Sequence, residues 1–373
     1  MEKVYLDNAS TTQMRPEVVN EITKIMSENY GNPSSNHSFG RAAKNLLELS
    51  RKSIAKNLNA TSQEIIFTSG GTEANNWIIR AAVQDLKIKR IITSKIEHHA
   101  VLNTVEILKK QADIIVDYVN ILPNGNIDLT NLVELLSTKT PTLVTLMHVN
   151  NETGSILDLY RVGVICKENN AYFHSDCVQS IGKTIFDLQQ LSIDFLVASA
   201  HKFHGPKGVG FAFYRKGLAL SPMIVGGEQE KGKRAGTEAL HNIAGMAKAL
   251  EISLNNLEKE QNYILGLKNY CIDELTKYFK DITIVGDNTF YNILNVVLPF
   301  SPDQSSLILF NLDMKGISVS RGSACQSGSS KASHVLAELL SDGDLAKPNI
   351  RISFSHFNIN QDIDFLINVL KEI

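Results

Sequence analysis

The stretch Phe195-Leu-Val-Ala-Ser-Ala-His-Lys-Phe-His-Gly-Pro-Lys-Gly-Val-Gly210 joins a short apolar run, a lysine at Lys202 and a glycine-rich turn that leads into a second apolar run. A brief apolar run bounded by small and turn-forming residues reads as a buried strand. Strand ends in α/β proteins are where ligands and chemistry are usually placed. A lysine delivered there, beside apolar neighbours that disfavour its charged form, has the environment of an amine nucleophilic enough to form a Schiff base. A lysine in an ordinary surface turn is the competing reading of this stretch alone.

Outward from it the chain alternates. Strand-like runs at 64–68, 90–93, 114–119, 143–148, 171–175 and 194–198 interleave with helical periodicity, including 72–85 and 98–110, after two opening helices at 16–29 and 39–57. This alternation predicts a mostly parallel sheet with helices on both faces. Past Ala235 the pattern changes to two long amphipathic helices, 237–255 and 257–278, with no strand between them. Short strands at 282–285, 293–298, 317–319 and 350–354 and a helix near 305–314 follow, an α+β arrangement. The expected division is a large domain of residues 15–255 and a small one built from 1–14 and 256–373.

Composition narrows the class. In 373 residues, 43% hydrophobic and 20% charged, the profile is that of an ordinary globular protein. A net charge of −2 offers no footprint for nucleic acid or a membrane surface. The apolar runs are strand-sized, and Met1-Glu-Lys-Val-Tyr-Leu-Asp7 lacks the pattern of a signal peptide, so a cytoplasmic protein is expected. The cysteines Cys166, Cys177, Cys271 and Cys325 are scattered without a C-x-x-C pair, which suggests free thiols and no metal site.

Several strand ends carry residues suited to one anionic, nitrogenous ligand. Phe67-Thr-Ser-Gly-Gly-Thr-Glu73 is a turn whose glycines admit close approach and whose freed N–H groups, at a helix start, favour a phosphate. It matches neither the dinucleotide fingerprint nor a Walker A loop. His174-Ser-Asp-Cys-Val-Gln179 offers Asp176 to hold a protonated ring nitrogen and Gln179 three residues on, or else a helix N-cap. In Lys95-Ile-Glu-His-His-Ala100 at most one histidine faces a site, able to stack on a planar ring and move protons. His148-Val-Asn-Asn-Glu152 adds amides. Arg351, in Asn349-Ile-Arg-Ile-Ser353, has the planar fork that clamps a carboxylate, although strand arginines are more often solvated. Cys325, in the Gly/Ser-rich stretch 321–330, reads as a thiol on a mobile loop with Arg321 nearby to favour thiolate, whereas Cys166 sits in an apolar run.

Together, from Tyr5-Leu-Asp-Asn-Ala-Ser-Thr-Thr12 and Gly31-Asn-Pro-Ser34 through Gly322-Ser-Ala-Cys325 to Ile350-Arg-Ile-Ser353, the chain strongly resembles the cysteine desulfurases of the class V aminotransferase family, fold type I pyridoxal phosphate enzymes of the housekeeping and nitrogen-fixation type. The resemblance implies a large domain with a mostly parallel seven-stranded sheet flanked by helices, and a smaller α+β domain. It implies that Lys202 holds pyridoxal phosphate through its amine, Asp176 pairs with the ring nitrogen, Gln179 bonds the ring hydroxyl, and His98 stacks on the ring. Gly71, Thr72, Ser199 and His201 would bind the phosphate, with Thr237 reaching in from the other subunit of a homodimer. Asn151 touches the cofactor and, with Arg351, holds the substrate carboxylate. Cys325 would take sulfur from L-cysteine as a persulfide, leaving alanine, and pass it to an acceptor for iron–sulfur cluster assembly or tRNA thiolation. A selenocysteine lyase, or another class V lyase or aminotransferase, is the alternative. Arg321, Gln326 and Cys177 depart from the residues usual at their places in that family.

Overall fold

The computed structural model describes residues 3–322 and 333–373. In chain order the strands are β1 (Val4–Tyr5), β2 (Ile65–Thr68), β3 (Arg90–Thr93), β4 (Ile115–Tyr118), β5 (Thr142–Thr145) and β6 (Tyr172–Asp176). Then come β7 (Phe195–Ser199), β8 (Gly210–Tyr214), β9 (Thr283–Ile284), β10 (Ile293–Val297), β11 (Ile317–Ser318) and β12 (Asn349–Ser353). The helices are α1 (Pro16–Glu28), α2 (Ser38–Asn57), α3 (Gly71–Asp85), α4 (His99–Gln111), α5 (Leu129–Leu136) and α6 (Leu159–Glu168). They continue with α7 (Leu240–Asn255), α8 (Leu257–Tyr278), α9 (Ile308–Met314), α10 (Asp342–Ala346) and α11 (Asn360–Glu372).

The main sheet has seven strands in the order β2-β8-β7-β6-β5-β3-β4. All pairs are parallel except those made by β8, which runs antiparallel to both β2 and β7. Alternation of side chains along each strand builds two apolar layers. Phe67, Ile92, Val144 and Leu196 face one layer, closed by Val18 of α1, Leu47 and Ile54 of α2 and Met246 and Leu250 of α7. Their neighbours Ile66, Ile91, Leu143 and Val197 face the other, closed by Trp77 and Ile78 of α3 and Val101 and Val105 of α4. β7, Phe195-Leu-Val-Ala-Ser199, is buried on both faces and apolar over its first four residues, as parallel sheets favour, whereas β6 ends in the buried polar residues His174, Ser175 and Asp176. Gly210 is needed where β8 meets β2 and β7: a Cβ there would lie 2.3 Å from Ala198 O and 2.8 Å from Gly70 Cα.

A separate apolar core joins α8 and α11 to the antiparallel sheet β12-β10-β9, with Ile264, Leu267, Ile293, Leu294, Ile352 and Leu366 inside it. The N-terminal residues Val4, Leu6 and Ala9 belong to this core, and β1 pairs in parallel with β11.

Two expected elements differ. The helix expected from 237 begins at Leu240, after Gly236 has taken φ +103. The strand expected over 143–148 is Thr142–Thr145, although Leu146 N and His148 N still donate to His174 O and Asp176 O of the neighbouring strand. Among the described residues no helix is long and apolar enough to cross a membrane, and no group of three His, Cys, Asp or Glu side chains is placed to hold a metal ion.

Candidate active site

The C-terminal ends of the parallel strands open onto a cavity of about 490 Å³. Its wall comes from the turn after β2, the loops after β3 and β5, the ends of β6 and β7, residues 9–11, and Arg351 from β12. Ten of the residues singled out from sequence line it: Gly71, Thr72, His98, Asn151, Asp176, Gln179, Ser199, His201, Lys202 and Arg351. Thr237 is exposed and lies outside it. Cys325 lies outside the described residues.

Lys202 sits in one turn of 3-10 helix, Ala200–Lys202, directly after β7. Its Nζ donates to the carbonyl oxygens of Ala9 at 2.6 Å and Ser10 at 2.8 Å. This corrects the expectation of apolar neighbours: the amine is met by main-chain acceptors of the N-terminal segment. The same segment is tied down by Thr12 Oγ1, which donates to His201 O at 2.9 Å, and by Gln179 Nε2, which donates to Ala9 O at 2.8 Å. Burial, with Lys202 and two further lysines nearby, pushes His201 down to about 4, so its ring is neutral at physiological pH.

Asp176 ends β6 and is 5% exposed. It is not a helix cap: Oδ1 accepts from Val178 N at 3.0 Å, closing a turn, and Oδ2 accepts from Asn75 Nδ2 at 2.7 Å. Asn75 went unread because an asparagine inside a helical pattern carries no local signal. Gln179 donates through its amide Nε2 to Ala9 O, and its buried Oε1 has no hydrogen-bond partner among the described residues. Glu97, also unread, is fully enclosed; Oε1 accepts from Met147 N at 2.7 Å. Burial, reinforced by Asp176, holds its carboxyl well above the ordinary range.

His98 is the N-cap of α4, where Nδ1 accepts from Ala100 N at 3.1 Å, which assigns the proton of the neutral ring to Nε2. Burial lowers its pKa against the opposing pull of Asp176. The neighbouring His99 instead packs its ring 4.5 Å from that of His334. One histidine of the pair faces the cavity, as their directions on a helix demand.

Arg351 is 1% exposed, not solvated. Nη1 donates to Asn151 O at 2.7 Å, and Nη2 donates to Asp7 Oδ1 at 2.8 Å and Ser10 Oγ at 2.6 Å. Also lining the cavity, α3 is capped by Gly70 at φ +151, a conformation that favours glycine, and begins at Gly71, whose Cβ would lie 2.6 Å from Val178 Cγ2. The open N–H groups of a helix start provide an anion seat. An amine, an anion seat, a buried carboxylate, a neutral imidazole and an orphaned amide oxygen in one cavity fit pyridoxal phosphate.

The class V aminotransferase family model matches residues 4–366. A cysteine desulfurase IscS of Dictyoglomus turgidum is 40% identical over 373 residues, covering 100% of this chain and 94% of that one. Among solved structures, a NifS-like protein superposes with a TM-score of 0.92 at 35% identity, covering 100% of this chain and 99% of the other. A structure described as SspA in complex with cysteine has a TM-score of 0.81 at 30% identity, covering 95% and 100%.

Proposed function

The chain belongs to the class V aminotransferase family, and from that membership we infer that it is a pyridoxal-phosphate-dependent cysteine desulfurase. It takes sulfur from L-cysteine, releases L-alanine and passes the sulfur to acceptors for iron–sulfur cluster assembly or tRNA thiolation. The observation that carries this reading is the single cavity in which Lys202, Asp176 and His98 converge with Arg351 from the second core.

Pyridoxal phosphate supplies an electron-withdrawing ring that takes up the electron pair released at the substrate Cα. The protein's own residues do the rest. Gly71, Thr72, Ser199 and His201 would hold the phosphate, and Asp176 would pair with the ring nitrogen. Asn75 fixes Asp176 by its 2.7 Å hydrogen bond. Gln179 would bond the ring hydroxyl, and His98 would stack on the ring. Lys202 is the residue that would hold the cofactor through its amine and would take the proton from the substrate Cα. Arg351 and Asn151 orient the substrate carboxylate. The Cys325 thiolate attacks the substrate sulfur: an S–S bond forms, the Cβ–S bond breaks, and its electron pair ends in a C–H bond of the alanine methyl group. Cys325 is left as the persulfide.

The same reading includes a cytoplasmic homodimer in which Thr237 reaches the partner's phosphate site. It also includes a division into residues 15–255 and residues 1–14 with 256–373, supported by the separate apolar cores. The test is to supply L-cysteine and a reductant to the purified protein and measure alanine and sulfide. Equal yields, with sulfide abolished by Cys325→Ala and both products abolished by Lys202→Ala, are expected. A Cys325→Ala variant as active as the parent overturns the mechanism.

A further inference from the structure

The guanidinium of Arg351 has five N–H hydrogens: one on Nε and two on each Nη. Three are already used inside the protein. Asn151 O takes one from Nη1, while Asp7 Oδ1 and Ser10 Oγ take both from Nη2. Nε is buried and has no hydrogen-bond partner among the described residues. A carboxylate grips a guanidinium in bidentate fashion along one of two edges, Nε with Nη2 or Nη1 with Nη2. Both edges require an Nη2 hydrogen, and both Nη2 hydrogens are occupied. A carboxylate therefore enters bidentate only by replacing Asp7 or Ser10.

The two occupants are not equivalent. Asp7 is charged, and its Oδ1 also accepts from Ser10 Oγ at 2.8 Å. It does not line the cavity, so it stands behind the arginine as a fixed counter-charge. Ser10 does line the cavity and is neutral. Its hydroxyl occupies the place that a carboxylate oxygen takes in a bidentate pair. It has an alternative partner once displaced, since Ser320 Oγ lies 3.5 Å away.

We propose that Ser10 is a specificity-determining residue: its hydroxyl is a built-in stand-in for the substrate carboxylate on Arg351, and substrate binds by exchanging with it. This rests on the reading that Arg351 receives the carboxylate of the amino-acid substrate. Between turnovers the hydroxyl keeps both Nη2 hydrogens satisfied, leaving Nε as the buried donor without a partner among the described residues. It also makes a monodentate anion a poorer ligand than a carboxylate, because such an anion replaces the Ser10 hydrogen bond without engaging Nε. A true carboxylate replaces a neutral hydroxyl with a charged acceptor and engages Nε as well.

The experiment uses holoenzyme and 3-mercaptopropionate, which carries the carboxylate and thiol of the substrate but no amine, so its binding is separate from catalysis. Titration calorimetry compares the parent, Ser10→Ala, Arg351→Lys and the double variant. Removing the hydroxyl leaves an Nη2 hydrogen without a partner in the free enzyme, so Ser10→Ala is expected to bind the probe about three- to tenfold more tightly. With L-cysteine the same variant should show a lower KM, the change falling on KM more than on kcat. In the Arg351→Lys background, where no fork exists, the Ser10→Ala effect should vanish. Weaker binding by Ser10→Ala, or an equal effect with and without Arg351, overturns the proposal. Loss of sulfide and alanine production in the parent would instead overturn the desulfurase reading while leaving the calorimetric comparison decisive for Ser10.

Discussion

Lys183 is a residue whose cost to the fold can be measured. It follows Gly182, at φ +75, in the turn after β6, and its Nζ is buried with no hydrogen-bond partner among the described residues. Burial, with a smaller push from Lys202, lowers its pKa to about 7. In the unfolded chain a lysine titrates near 10.4. Between those values the unfolded state binds the proton and the folded state does not, so unfolding free energy rises with pH across that window. Below about 7 both states are protonated and the full penalty, on the order of a few kcal/mol, is present. Lys183→Met keeps the length and removes the charge. It is expected to raise the urea midpoint at pH 7 and to flatten the climb of stability between pH 7 and 10, as read from denaturation curves at several pH values. An unchanged slope would show that the amine escapes its burial. The sequence gives no hint of this lysine, because Ile-Gly-Lys-Thr reads as an ordinary turn and burial there is set by residues far along the chain.

At the scale of elements, the turn between β2 and α3 was legible because its signal is local: an apolar run, two glycines, then helical periodicity. The alternation of strands and helices, and hence the layered sheet, was legible for the same reason. The partners of that turn were not. Val178 and Asn75 meet the site through contacts between elements, and residues 9–11 become a wall of the cavity only because β1 pairs with β11. Two glycines put the local reading to the test. A methyl on Gly71 would lie 2.6 Å from Val178 Cγ2, and Val178 N supports Asp176 Oδ1. Gly71→Ala is therefore expected to weaken retention of pyridoxal phosphate at least tenfold, followed as loss of bound-cofactor absorbance on dialysis, with the far-UV spectrum unchanged. Gly266, in α8, has nothing within 4 Å of its would-be Cβ. Gly266→Ala should retain cofactor and stabilise the protein by up to about 1 kcal/mol, since alanine is the better helix former. If both substitutions behaved alike, close packing at Gly71 would not be what the cofactor needs.

For the whole molecule, the site belongs to neither core alone. Lys202, Asp176 and His98 stand on the edge of the main sheet, while Arg351 stands on β12 and Ser10 on the N-terminal segment packed with it. Among the described residues, one expected contributor stands apart from this junction within a single chain. Thr237 is exposed and apart from the cavity, yet its loop is held in a set place: Arg234 pairs with Glu73 of α3 at 2.9 Å, and Glu230 is gripped by Arg51 at 2.7 Å on both oxygens. For Thr237 to complete the phosphate site of a two-fold partner, as proposed, its loop has to be held in place in this way. Complementation tests this directly. Lys202→Ala lacks the amine, and Thr237→Asp sets a carboxylate against the phosphate, so each homodimer should be inactive. In a mixed dimer, one site combines Lys202 from one subunit with Thr237 from the other. Random mixing after co-expression should restore about a quarter of parental sulfide production, since half of the dimers are mixed and each has one intact site. No recovery, with mixed dimers isolated by differential tags, would place Thr237 and Lys202 of one site on the same chain.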